Sequence, residues 1–305
     1  MSAVDRAAQQ RARAVAVGAA GRPLRASRML HRLLDRLPAD PAQPSVLAVR
    51  ARTLASLAYF EAELGRVELG LELLDDAERL AANLDNRGLR GNLHVQRGAI
   101  LVRRGLLADA LVHLDRAVEL LDEQVEDRCA TLLNRSALNL YRGNLAAADA
   151  DLRQCTELAT RHGLHVLRAK ATANLGHLAF QRGDLPMALR FLDEALRDPA
   201  LLTSAHRSVF MGSRAEVLRA AGLTTEADAD LADAVDIFRR ERLTHDLAEA
   251  LLARAQVALL ERRWPDALRL AGQASRQFAR RGNAVRGDLA DLTGLQARLE
   301  LGRGL

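Results

Sequence analysis

The chain has 305 residues, 49% of them hydrophobic and 27% charged, with 3% aromatics and a formal net charge of +5. Its apolar share supports a sizeable core, and an Ala- and Leu-rich, aromatic-poor mix favours packed helices over β-sheet. Two cysteines exclude a disulfide framework, and no apolar run approaches the ~18 residues of a membrane span. All 44 basic residues except Lys170 are arginine, and ten of them fall in residues 1–60 against Asp5, Asp35 and Asp40. A basic segment of this kind is read first as a solvated helix face.

In chain order, one pattern recurs. Anchored on a turn residue, its copies centre on Gly21, Gly65, Gly105, Gly143, Gly183, Gly222 and Arg262. The intervals are 44, 40, 38, 40, 39 and 40 residues. The expected units are residues 2–38, 45–85, 88–123, 126–161, 165–198, 203–241 and 244–281, each a pair of antiparallel helices. A last helix over 283–303 is expected to cap them. The longest interval holds "PADPAQP" (Pro38 to Pro44), which reads as a connector, and Pro38 and Pro199 are expected to stop second helices.

Four slots agree across the copies. Seven before the anchor the residue is small (Ala14, Ala58, Gly98, Ser136, Gly176, Ala215, Ala255). Five past it stands Ala26, Gly70, Ala110, Ala148, Ala188, Ala227 or Ala267. Nine past it Leu dominates, and twelve past it Ala does. Gly at the turn permits the left-handed backbone that ends a helix. Small residues let two helices approach, and the Leu fills the space between neighbouring pairs. Pro186 and Pro265 fall at the first turn of second helices, where Pro is tolerated.

The order small–Gly–Ala–Leu–Ala–Pro resembles the tetratricopeptide repeat (TPR), best in "NLGHLAFQRGDLPMALRFLDEALRDP" from Asn174 to Pro199. The resemblance covers nearly the whole chain and implies an all-α, right-handed α-solenoid. The period near 40 departs from the family's 34, and five repeats put Arg13, Arg97, Arg135, Arg214 or Arg254 where Leu175 stands. Phrases such as "NRSALNLYRGNLAAADADL" also look like the N-terminal TPR region of actinobacterial CHAT proteins, in which the array precedes a caspase-like domain. Nothing in the sequence matches that peptidase half.

Arginines in an otherwise apolar helix face need partners if buried. They read as an ion-pair ladder with neighbouring helices, or else as donors for an acidic peptide; the ladder is favoured. Cys155 takes a slot that is Ala in five repeats and reads as a core residue, and Cys129 lies in a helical stretch. His162 and His165 have H-x-x-H spacing, but Gly163 between them reads as a helix stop and zinc wants more ligands. No glycine-rich phosphate loop is present. The run Arg276 to Arg286 reads as a helix C-terminus and not as a phosphate-binding surface.

TPR arrays line a concave groove with their first helices, at positions thirteen, ten, six, three and two before each turn. Carried over, those slots are mostly Ala, Val and Leu, and the exceptions chosen as partner-binding residues lie in repeats three to five: Asn92, Arg103, Tyr141, Lys170, His177, Phe180 and Gln181. Phe180 and Tyr141 could equally plug the seam between repeats. The expectation is a non-catalytic protein-interaction scaffold, the recognition region of a CHAT-type protein, with the sensor region of a bacterial transcriptional regulator as the alternative. A protein or peptide partner, an acidic one included, no cofactor or metal, no membrane or nucleic acid, and a cytoplasmic location complete it.

Overall fold

The computed structural model describes residues 2–19, 21–37, 43–82, 84–198, 205–241, 243–280 and 283–303. The connector at 38–42 and Pro199 lie outside them. Among the described residues there are fifteen α-helices and no strand. They run in seven pairs: α1 (Ala3–Ala19) with α2 (Pro23–Arg36), α3 (Pro44–Glu63) with α4 (Val67–Ala81), α5 (Arg87–Arg103) with α6 (Leu107–Leu120), and α7 (Val125–Tyr141) with α8 (Leu145–Arg161). Then follow α9 (His165–Gln181) with α10 (Leu185–Leu196), α11 (Ala205–Ala220) with α12 (Thr224–Glu241), α13 (Thr244–Leu260) with α14 (Trp264–Arg280), and a single α15 (Ala284–Arg303).

The turn anchors do what the pattern demands. φ lies between 76° and 87° at the six glycine anchors and is 60° at Arg262. Each pair from the second onward closes its first helix with the bond of a Schellman cap, in which the residue after the anchor donates to a carbonyl five back: Arg66 N to Glu61 O at 2.9 Å, Asp184 N to Ala179 O at 2.9 Å and Arg263 N to Ala258 O at 2.9 Å. Arg262 adopts that turn against the usual cost of about 1 kcal/mol for a side chain in left-handed backbone. Asp184 then caps α10 by accepting from Met187 N, and Pro186 sits in its first turn.

The chain divides into two compact units, Met1–His162 and Gly163–Leu305. Within each, every helix packs on the next in sequence. First helices also touch first helices: α1 with α3 and α3 with α5 in one unit, α9 with α11 and α11 with α13 in the other. The four repeat slots are buried in all seven pairs. Their smallness is a geometric need. A Cβ on Gly176 would sit 2.8 Å from Leu192 Cγ and 3.1 Å from Ala188 O, so α9 and α10 meet almost backbone to backbone. Leu30, Leu74, Leu152 and Leu192 fill the spaces left between pairs and are fully buried. α15 packs on α13 and α14 through Ala290 and Ala297, while Leu292, Leu295 and Leu299 on its other side are exposed.

Candidate functional site

Seven repeats offer two surfaces for chemistry: the seam beside the small residues, and the face of the first helices. The seam is saturated. Arg97 donates to Asp75 (2.6 Å) and Glu78 (2.9 Å), and Arg135 to Asp115 (2.7 Å) and Asp151 (2.6 Å). Arg214 donates to Asp193 (2.7 Å) and Asp230 (2.6 Å), and Arg254 to Asp228 (2.7 Å). The ladder therefore exists, and apart from Glu78 and the Arg254–Asp228 pair its acids follow a rule. Asp75, Asp115 and Asp193 all stand ten past the anchor of the preceding repeat, while Asp151 and Asp230 stand eight past the anchor of the same repeat. Where Leu57 and Leu175 replace the arginine, the latter position is apolar as well, Leu73 and Phe191. Arg13 has Met29 there; it is exposed and has no carboxylate partner among the described residues. Burial lowers the affinity of Arg97, Arg135 and Arg214 for their protons, but the paired carboxylates outweigh it and hold all three above the ordinary arginine range.

The seven residues expected on the groove are distributed unevenly. His177, Phe180 and Gln181 come together on α9: His177 and Gln181 hydrogen-bond at 3.1 Å, and the His177 and Phe180 ring centroids lie 6.4 Å apart. Lys170, two turns earlier on that helix, is half-buried, which pushes its pKa down. Phe180 packs partly into the core that includes Ala173, Phe210 and Val217. Tyr141 plugs no seam, being 79% exposed at the end of α7. Asn92 donates to Asp127 at 3.1 Å, and Arg103 donates to Tyr59 Oη at 3.2 Å with its guanidinium 5.2 Å from that ring's centroid.

None of the seven lines either of two cavities on the first helices, yet both cavities use the same slots. In the first unit, a cavity of about 420 Å³ is lined by Arg11, Val15 and Gly18 of α1 and by Ser56, Tyr59 and Glu63 of α3, with Gln96 of α5. In the second, a cavity of about 380 Å³ is lined by Val209, Gly212, Glu216 and Arg219 of α11 and by Glu249, Leu252 and Gln256 of α13, among others. Apart from Ser56 and Gln96, each of these residues sits thirteen, ten, six, three or two before its anchor. The signal was present in the slots of repeats one, two, six and seven, where Arg11, Arg52, Tyr59, Glu63, Glu216, Arg219, Glu249 and Gln256 break the apolar pattern. A Cβ on Gly212 would meet nothing within 4 Å, whereas the Phe60 ring already fills the space that a Cβ on Gly18 would take.

The other candidates fall into place as packing. Cys129 and Cys155 are buried, each Sγ facing the other residue's carbonyl oxygen at 3.9 and 3.5 Å. Burial pushes both thiols up, away from the thiolate that a nucleophile needs. Gly163 ends α8 with φ 66°, and no group of three or more metal-ligating side chains occurs among the described residues. Arg286 is held by Glu249 and stacks 6.0 Å from the Phe278 ring centroid; Arg281 lies outside the described residues. No helix among the described residues is long and apolar enough to cross a membrane.

No known family profile matches the chain, and no curated protein matches its sequence. Solved structures match its fold. A Rap protein complexed with competence and sporulation factor aligns at TM-score 0.71 and 15% identity, over 99% of this chain and 84% of the other. A STAND ATPase with a tetratricopeptide repeat sensor, from Pyrococcus horikoshii, aligns at TM-score 0.67 and 14% identity, over 95% of this chain and 44% of that one. The Rap conjugation gene regulator of plasmid pLS20, in complex with the Phr* peptide, aligns at TM-score 0.57 and 18% identity, over 86% and 79%. At these identities the likeness is one of fold: a TPR-like α-solenoid.

Proposed function

We propose that the chain is a non-catalytic recognition module whose first helices bind an extended segment of a partner protein. The observation that carries this reading is the placing of both cavities on the first-helix slots, where polar groups such as the exposed Glu63 and Glu216 and the part-buried Tyr59 ring stand outside the packing that fixes the seam. Rings supply buried area and polar groups set register in such sites. The likeness to a fold seen with the Phr* peptide supports it, as do two thiols held in their protonated form. The finer reading keeps the CHAT resemblance, with the array as the regulatory region of a caspase-like protein. The exposed Leu292, Leu295 and Leu299 give such a partner domain an apolar face to cover. The regulator alternative draws on the fold shared with a conjugation gene regulator. A caspase-like domain or a helix-turn-helix domain encoded in the same reading frame separates the two.

Binding is the direct test. A partner captured from native lysate is identified, purified, and rebound to Tyr141→Ala, Lys170→Glu, Phe180→Ala and Glu216→Ala, each shown by circular dichroism to be folded. Loss of more than ~1 kcal/mol in at least one is expected for a recognition surface with hot spots. Parental affinity in all four, with loss in variants of the second helices, would place the interface elsewhere.

A further inference from the structure

The cavity on α1 and α3 has a property that the seam lacks. Every seam arginine with a partly buried guanidinium has a carboxylate. Arg11 is partly buried too, and among the described residues its one polar partner is a neutral hydroxyl, Ser56 Oγ at 3.2 Å. Arg52, one turn before Ser56 on the same side of α3, is also partly buried and has no hydrogen-bond or ion-pair partner for its side chain among the described residues. The two positive groups feel each other: burial first, and then the charge of Arg52, push Arg11 below its ordinary range. Glu63 is the one carboxylate lining the cavity, and it is exposed at the end of the helix. The other carboxylate nearby in sequence, Glu61, is committed to Ser27 at 2.5 Å and to Arg66.

Leaving two guanidinium groups together and without a counter-ion is costly unless something else supplies the charge. The surrounding groups say what kind of charge fits. Ser56 gives its own proton to Arg52 O at 3.0 Å, which orients its oxygen toward Arg11. Tyr59 Oη accepts from Arg103, so its proton remains to be given. Gln96 adds an amide to the cavity wall. Arg11 and several neutral donors line about 420 Å³, and Arg52, outside the lining, adds a second positive charge that Arg11 feels; together they suit a compact dianion with three or four oxygens better than a single carboxylate.

We propose that this cavity is a binding site for a phosphoryl dianion, with Arg11 and Arg52 as its charge partners and Tyr59 and Gln96 as neutral donors. The site needs no peptide partner to exist, so it goes beyond the recognition reading. The dianion can come as free phosphate or on a phosphorylated residue of a bound segment.

The test uses the purified full chain and inorganic phosphate, followed by ³¹P line broadening and by isothermal titration, with acetate as the monoanion control. Saturable phosphate binding is expected, weakened roughly tenfold or more in Arg11→Gln and in Arg52→Gln, and strengthened in Glu63→Gln, which removes a like charge. Tyr59→Phe keeps the ring and is expected to weaken binding by a smaller factor. A phosphoserine peptide and its serine counterpart separate the sources: tighter binding of the phosphopeptide than of phosphate assigns the site to a modified segment, and equal binding assigns it to the free anion. Absence of saturable phosphate binding, binding unchanged in folded Arg11→Gln and Arg52→Gln, or acetate bound as tightly as phosphate would overturn the proposal. None of those results bears on whether the first helices bind a segment, which the partner-rebinding variants test separately.

Discussion

The cavity on α1 and α3 and the cavity on α11 and α13 occupy the same slots of their repeats and carry different charge. The first sets Arg11 against a lone exposed Glu63, with the charge of Arg52 added from outside the lining. The second gathers Glu216, Asp246 and Glu249 with Arg219 and Arg286, of which Glu249 and Arg286 already neutralise each other. The seam shows no such latitude. It takes a small residue where helices touch, Leu in six of seven copies where pairs meet, and, wherever the arginine slot is at least partly buried, either an arginine with acids or leucine with an apolar neighbour; only the exposed Arg13 of the first repeat departs. Burial dictates the seam, because a mismatch there is paid in every repeat, whereas the first-helix face varies because nothing packs over it. The architecture thereby separates what holds the units together from what they can recognise.

The sharpest way to break this comparison is to remove one arginine of each kind. Arg135 is 19% exposed and binds Asp151, whose side chain is 6% exposed. Arg135→Ala leaves that carboxylate buried without its counter-ion, at an expected cost of about 3–5 kcal/mol. Arg11→Ala removes one part-exposed hydrogen bond to a neutral hydroxyl and relieves a repulsion, and should cost less than about 1 kcal/mol. Urea midpoints for the two variants measure the contrast. The double variant Arg135→Leu with Asp151→Leu imitates the apolar solution of the repeat with Leu175, and should recover most of the loss. Equal destabilisation by the two single variants would mean that seam and face do not differ in kind.

A second test strains the seam by size. Ala110 is fully buried, and the Cβ of a residue at Gly98 would lie only 3.3 Å from its carbonyl oxygen. Ala110→Leu must push α5 and α6 apart, and about 1–3 kcal/mol of destabilisation is expected. Arg116→Ala, which removes only an exposed pair with Glu119 on the same helix, should be near neutral. Equal melting temperatures for the two variants would refute the register of the third repeat.

How much of this could be read from the sequence follows the same division. The anchors, small slots and Leu slot are legible because each is dictated by a local rule repeated seven times, so even Arg262 is recognised as the turn by its place in the series. The ladder is legible as a need for partners, although which acid serves which arginine depends on packing between repeats that the spacing alone does not give. The cavities are not legible. The slots that line them are predictable, but whether a slot opens on space, as at Gly212, or is filled by a neighbouring ring, as Phe60 fills the space beside Gly18, depends on packing that the slot rule does not give. Attention to repeats three to five therefore found a half-buried Lys170 and the His177–Phe180–Gln181 group, and missed Arg11, Tyr59 and Glu216.

The smallest expected effect lies at a pair that departs from both seam solutions. Eight past the third anchor, where Asp151 and Asp230 stand in their repeats, is His113, and its Nδ1 lies 2.9 Å from Nδ1 of His94. One ring must give a proton and the other accept it, so the contact needs at least one neutral imidazole. Burial pushes both histidines down. Further down, His94 feels His113, Arg116 and Arg97, and His113 feels Arg97; Glu78 opposes the shift at both, and Asp109 at His113. The unfolded chain then takes up protons near the ordinary histidine value while the folded chain resists them. Stability from this pair is fully present above that value, begins to be lost as pH falls past it, and is gone once pH has fallen through the lowered folded values. The second unit has Phe191, Asp230 and Leu270 at the matching positions and no such pair. Between about pH 7.5 and about pH 5.5 the parent should therefore lose melting temperature faster than His94→Gln with His113→Gln, and hydrogen exchange should locate the loss in α5 and α6. The same decline in both proteins, or a loss confined to the second unit, would remove the histidine pair as its cause.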